Sequence, residues 1–262
     1  MLKFLTKAII FLGIVVGAIT FVYLYDLYQE IKDDIDSVVN YNPKQSTQFF
    51  DKNGKLLANT FKDENREYVN YDDIPARVIE GLVAIEDTQF FEHFGVNPDA
   101  ISRAVIKNIQ SGGYSEGAST LTQQLIKVLL LSREKKIIRK VKEALLAVRL
   151  ETILTKEEIL ERYLNHVYFG HGYYGVKTAA KGYFKKNLYE LTLKEIAILV
   201  GLPRAPSFYD PTKNLQVSLA RANQVITRMH TLGWINNEQF EESIKDRKST
   251  RLNSSHDQRS RM

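Results

Sequence analysis

Two adjacent carboxylates, Glu86 and Asp87, close an apolar helical pattern and run into Thr88-Gln89-Phe90-Phe91-Glu92-His93-Phe94-Gly95. Aromatic neighbours can keep water from one of the acids, raise its pKa and leave it able to accept a proton near neutral pH. On this segment alone, a solvated acidic helix end is the simpler reading. A second cluster, Arg139-Lys140-Val141-Lys142-Glu143, changes the balance. At helical spacing Arg139 and Lys140 share a face with Glu143, opposite the apolar positions Ile137, Ile138, Val141, Leu145 and Val148. Two cations beside one carboxylate keep it ionised and leave positive charge for an anion. Between the clusters lies Gly117-Ala118-Ser119-Thr120-Leu121-Thr122-Gln123-Gln124-Leu125-Ile126-Lys127. Glycine followed by Ser-Thr signals a helix start, and a helix N-terminus with hydroxyls and a nearby lysine favours phosphate. A proton-accepting acid, an ion-paired acid and an anion site together predict chemistry on a phosphate-bearing substrate.

Other motif matches carry less. Residues 113–117 fit G-x-S-x-G, but a helical pattern precedes them where that elbow needs a strand, so a mobile glycine loop is expected. Residues 132–135 fit S-x-x-K, yet Lys177-Thr178 is followed by Ala179 and no S-D-N or K-T-G completes the set. No covalent labelling by a fluorescent penicillin is therefore expected; a labelled band lost in Ser132→Ala would overturn this. His166 and His171 flank a glycine bend without a third ligand at metal spacing and read as polar loop histidines. The chain has no cysteine, which excludes disulfides, thiolate metal sites and cysteine nucleophiles. Its net charge of +5 is no nucleic-acid footprint, because residues 246–262 hold five Lys/Arg against two Asp and the rest carries only +2.

The elements that must position these residues begin with an apolar span. Residues 8–25 contain no charge and are long enough, with their flanks, to cross a bilayer core. Tyr23, Tyr25 and Tyr28 mark its far end. Lys3 and Lys7 precede it while Asp26, Glu30, Asp33, Asp34 and Asp36 follow, which predicts residues 1–7 in the cytoplasm and the rest outside. A cleaved signal peptide fits less well, since no small-x-small site follows the run. Residues 26–48 read as a polar, partly helical linker ending at Asn42-Pro43, and 49–70 as a short β segment with a hairpin at Asn53-Gly54. From 71 to 244 the pattern is helical, with helices predicted at 98–110, 119–131, 155–165, 175–184, 192–201 and 217–231. The fold class is mainly α. Residues 245–262 lack apolar period, resemble translated adapter sequence and are expected to be disordered or artefactual.

Over residues 49–244 the chain resembles the glycosyltransferase family 51 domain of class A penicillin-binding proteins, the peptidoglycan glycosyltransferases. The resemblance rests on E-D-x-x-F-x-x-H-x-G at 86–95, G-x-S-T-x-x-Q-Q at 117–124 and R-K-x-x-E at 139–143. Residues 159–165, Gly170, Gly175, Ala179-Ala180, Tyr183-Phe184 and the run 201–207 also fit. It implies a lysozyme-like helical domain that polymerises lipid II with inversion. Glu86 would be the base for the acceptor GlcNAc 4-hydroxyl. Glu143, with Arg139 and Lys140, would stabilise the departing lipid diphosphate. Asp87, Phe90, His93, Ser119, Thr120, Gln124, Lys127 and Arg221 would bind substrate. Val128 stands where the family often has Asn, which removes one polar contact.

The resemblance implies no required cofactor, no resident metal, and room for a divalent cation (Mg or Mn) at the diphosphate. Implied partners are lipid II, the growing lipid-linked glycan, membrane lipid and cell-wall elongation or division proteins, with no nucleic acid. The implied location is the cytoplasmic membrane, single-pass, with a periplasmic catalytic domain. The family normally continues into a transpeptidase domain, so the chain reads as a truncated N-terminal part. A lysozyme-like hydrolase would need a protonated Glu and no cationic cluster, and a membrane-anchored cell-wall scaffold would need neither Glu86 nor Glu143.

Overall fold

A computed structural model describes residues 2–40, 46–54, 56–60, 65–113, 117–130 and 136–246. The Ser115 elbow, the S-x-x-K match at 132–135, Asn42-Pro43 and the tail from 247 lie outside the described residues. The chain divides into two compact units.

The first unit comprises residues 1–41, 94–96 and 122–154. Its α1 (Leu2–Ile31) is one unbroken helix, followed by a 3₁₀ turn and the short α2 (Ile35–Val39). The side chains described between Phe4 and Val22 are exposed, as an apolar span without a bilayer must be, and burial begins only at Leu27. Leu27, Ile31, Ile35 and Val38 are buried, and α1 and α2 both pack on α6 (Lys136–Leu150). The remaining helix, α5 (Leu121–Leu129), buries Leu125 and Ile126. Residues 94–96 approach α6 closely because Gly95 has no side chain. A Cβ there would lie 2.5 Å from the Ala147 carbonyl carbon, and its φ of +72° already favours glycine.

The second unit holds α3 (Ala76–Glu86), α4 (Pro98–Gln110), α7 (Lys156–His166), α8 (Val176–Phe184), α9 (Leu193–Gly201), α10 (Leu215–Thr231) and α11 (Asn237–Lys245). Local chemistry starts most of them. Asn97 caps α4 with Pro98 at its first position, and capping boxes open α7 (Thr155/Glu158), α9 (Thr192/Glu195) and α11 (Asn236/Gln239). The centre is α3, α9 and α10 packed pairwise. From α9, Ile196 to Val200 are all buried, against Val78, Leu82 and Val83 of α3 and Ala222, Val225, Ile226 and Met229 of α10. Each such aliphatic side chain contributes about 1.5–3 kcal/mol of burial. This core fixes the last turn of α3 relative to α10.

The Asn53-Gly54 hairpin is present: β1 (Thr47–Phe50) pairs antiparallel with β2 (Leu56–Thr60), with an irregularity between Phe49 and Phe50. A second sheet was not legible in the sequence. Two-residue β3 (Asn65–Arg66) pairs in parallel with β4 (Tyr173–Tyr174), and stretches this short carry no period. Nearby, Asn165 (1% exposed) bonds both the N–H and the carbonyl of Val69, which ties α7 to the incoming chain.

His166 departs from its reading as a polar loop residue. It ends α7, and its Nδ1 lies 3.1 Å from Arg66 Nη1. Burial, and then the Arg66 guanidinium, push its imidazole down to about 4. The folded pKa is thus below the unfolded value near 6.5, so the neutral ring's contribution is complete above that value and lost as pH falls toward about 4. The whole shift corresponds to about 3 kcal/mol, which partial solvent access reduces to roughly 1–2 kcal/mol. His166→Gln keeps an acceptor for Arg66 and should flatten the fall in stability between about pH 6.5 and 4. Urea unfolding across that range is the measurement; an unchanged slope would refute the assignment. His171, by contrast, does lie in a loop, with φ of +53° and Nδ1 3.9 Å from Asp210.

Candidate active site

The second unit carries Glu86 as the last residue of α3. Its Oε1 accepts a hydrogen bond from Arg221 Nη2 at 3.0 Å, and the two side chains are 10% and 6% exposed. Arg221 can reach there because Gly201 lets its stem pass: a Cβ at 201 would sit 2.9 Å from Arg221 Cγ. The guanidinium stands 5.7 Å from the Tyr209 ring centroid. Burial lowers the Arg221 pKa, Glu86 opposes that, and the nearby Arg204 adds to it. Tyr163 of α7 is buried beside this pair, and burial followed by the Glu86 charge holds its phenol well above the ordinary value, hence protonated. Sequence reasoning missed Tyr163 as a neighbour of Glu86. Its place in the apolar stripe Ile159, Leu160, Tyr163, Leu164 marked it as core, and it is core.

Asp87 takes a different path from Glu86. Its Oδ2 accepts the Leu121 backbone N–H at 2.9 Å and lies 3.0 Å from His93 Nε2. A carboxylate there requires Nε2 to carry the proton, and the buried Nδ1 has no partner among the described residues. The helix start at 117–121 is thus tied to this carboxylate. Its first amide is held by Asp87, and Thr120 is 1% exposed. Ser119 is half-buried. Phe90 is fully buried, with Lys156 Nζ 4.5 Å from its ring centroid and also donating to the His93 carbonyl. Phe90 is thus a core residue, whereas Phe91 and Phe94 are exposed at 52% and 69%.

The first unit carries the other cluster. Glu143 (2% exposed) has Arg139 Nε 3.2 Å from Oε1, a charge contact out of line for a hydrogen bond, and accepts a hydrogen bond from Lys140 Nζ to Oε2 at 2.9 Å. Arg139 and Lys140 keep 24% and 48% of their side chains exposed. Glu143 is thus a buried anion held by two cations that reach the surface. The buried face of α6 corrects the sequence expectation. It runs Lys142, Glu143, Leu146, Ala147 and Leu150, while Ile138 and Val148 are 39% and 40% exposed. Both faces of α6 carry apolar residues, and packing against α1 and α2 selects between them. Gln124 is half-buried, and Lys127 stands exposed in the last turn of α5, with Val128 43% exposed beside it.

Among the described residues no group of three His, Asp or Glu could hold an ion, and Glu86 and Glu143 are each committed to cationic side chains. Each unit thus carries one carboxylate held by cationic side chains: Glu86 by the buried Arg221, and Glu143 by Arg139 and Lys140.

A family profile described as transglycosylase matches residues 53–230. Penicillin-binding protein 1A of Aquifex aeolicus is 43% identical over 89% of this chain and 32% of its own length. The corresponding figures for penicillin-binding protein 1A of Escherichia coli are 40%, 84% and 26%. The crystal structure of penicillin-binding protein 1A from Haemophilus influenzae aligns over 78% of this chain and 21% of its own, with TM-score 0.46 and 27% identity. The chain spans about a third or less of the length of these relatives.

Proposed function

The chain belongs to the transglycosylase family, and from that premise we propose that it polymerises lipid II into glycan strands for the bacterial cell wall. The observation that carries this reading is Glu143, buried between Arg139 and Lys140, two cations that remain partly exposed. A lipid diphosphate is a good leaving group, and what it needs is positive charge rather than a proton. Glu86, hydrogen-bonded by Arg221, takes the proton of the acceptor GlcNAc 4-hydroxyl. That oxygen attacks C1 of the donor sugar with inversion, the C1–O bond to the diphosphate breaks, and lipid diphosphate departs toward Arg139 and Lys140.

A hydrolase would use a protonated acid on a poor leaving group, a state that Arg221 beside Glu86 opposes. The reaction needs no resident cofactor. A divalent cation such as Mg or Mn would have to ride on the substrate's own diphosphate. Lipid II, the growing glycan strand and membrane lipid are then the partners, with elongation or division proteins as further ones. The apolar α1 anchors the chain in the cytoplasmic membrane, with Lys3 and Lys7 on the cytoplasmic side and the catalytic body outside. Incubating the purified chain with labelled lipid II tests the reading. High-mass product that lysozyme degrades is expected; a well-folded chain yielding none would reject it.

A further inference from the structure

Lys142 is an odd residue to find on the buried face of α6. It is 6% exposed, beside Glu143, where an apolar side chain would pack without desolvating a charge. Its Nζ reaches Glu30 Oε1 at 3.2 Å, across to the last turn of α1. Around this contact Leu27, Ile31, Ile35 and Val38 are 7%, 2%, 2% and 0% exposed. The same helix is exposed from Phe4 to Tyr23 and again at Tyr25, at 54%, with Leu24 half-buried. The end of the membrane helix is thus joined to the helix carrying Arg139, Lys140 and Glu143 by a small apolar core and one ion pair, all within a single compact unit.

We propose that Lys142 is a positioning residue that, through Glu30, fixes the height of the Arg139–Lys140–Glu143 cluster above the membrane at the level of a lipid-linked diphosphate. The distances agree. From Tyr25 to Glu30 is five residues of unbroken helix, about 7.5 Å of rise. The headgroup layer beyond the hydrocarbon core is about 5–7 Å thick on each side. A rigid helix that enters the catalytic unit there places its cations where a lipid phosphate lies, with no flexible linker whose ordering entropy must be lost at each encounter. Packing alone would tolerate sliding of α1 along α6, whereas the Lys142 ammonium, 8% exposed, meets the 66% exposed Glu30 carboxylate at one position along α1. The inference rests on the lipid II reading.

The test uses the full chain in liposomes with long-chain lipid II, and in detergent with a water-soluble short-lipid analogue. Lys142→Met keeps the stem's packing and removes the charge, and Glu30→Gln removes it from the other side. A third variant inserts a seven-residue helical spacer between Tyr25 and Asp26, which raises the unit by about 10 Å while keeping every contact of α1 with α6 and nearly the same helix face. For the first two, KM for long-chain lipid II in liposomes is expected to rise about five- to tenfold with kcat nearly unchanged and the short-lipid rate within twofold of wild type. The spacer variant should lose most activity in liposomes and keep the short-lipid rate. Equal losses on both substrates, or a spacer variant fully active in liposomes, would overturn the height-setting role. A folded wild-type chain inert on both substrates would reject the transferase reading itself, and the positioning role with it.

Discussion

Glu86→Gln is expected to lower lipid II polymerisation by on the order of 10²–10⁴-fold, since the amide cannot accept the acceptor's proton. The substitution is close to isosteric, and the Gln Oε1 can still accept from Arg221 Nη2. The buried guanidinium, 6% exposed, then faces a neutral group. That change should destabilise the protein by about 1–3 kcal/mol while leaving it folded, with α3 still held by Val78, Leu82 and Val83 against α9 and α10. Circular dichroism and a melting curve alongside the rate separate lost chemistry from lost structure. A well-folded Glu86→Gln chain that polymerises within tenfold of wild type would remove Glu86 from the role of base.

Lys140→Ala carries the other large effect. Lys140 is 48% exposed and bonded to Glu143 at 2.9 Å. Its removal takes one of the two cations at Glu143, and with it half of the positive charge proposed to receive the diphosphate. Loss of one donor aimed at developing transition-state charge reduces kcat by roughly 10²–10³-fold. Affinity for moenomycin, the phosphoglycolipid that mimics the donor, should fall about ten- to a hundredfold, as for a lost charge-assisted contact. The stability change should stay within about 1 kcal/mol, because the lysine is half in solvent. Deleting residues 1–25 would act differently, weakening turnover on membrane-embedded substrate while leaving a folded, partly active domain. Rates and inhibitor affinities in detergent and in liposomes distinguish the two. Near-normal rate and moenomycin affinity in Lys140→Ala would end the anion-site assignment while leaving family membership intact.

What the sequence determined by itself was local. Asn97-Pro98 and the capping pair Thr155/Glu158 start their helices by chemistry that spans a few residues, so α4 runs over the expected 98–110 and α7 within a residue of its expected limits. The charge-free span 8–25 forced a long apolar helix, and Asn53-Gly54 forced a turn. The spacing of Arg139, Lys140 and Glu143 already joined them on one face, because three and four residues make one helical turn. Partners far apart in the chain were decided by tertiary structure alone. Arg221 reaches Glu86 across 135 positions because α3, α9 and α10 share a core and Gly201 leaves room. Asp87 became a helix cap instead of a second surface acid because the Leu121 amide arrived at its carboxylate. On α6, Ile138, Val141 and Val148 offered one apolar stripe and Leu146, Ala147 and Leu150 another. Periodicity measures how apolar each stripe is, and only the arrival of α1 and α2 decided which of them, with Lys142 and Glu143, would turn inward.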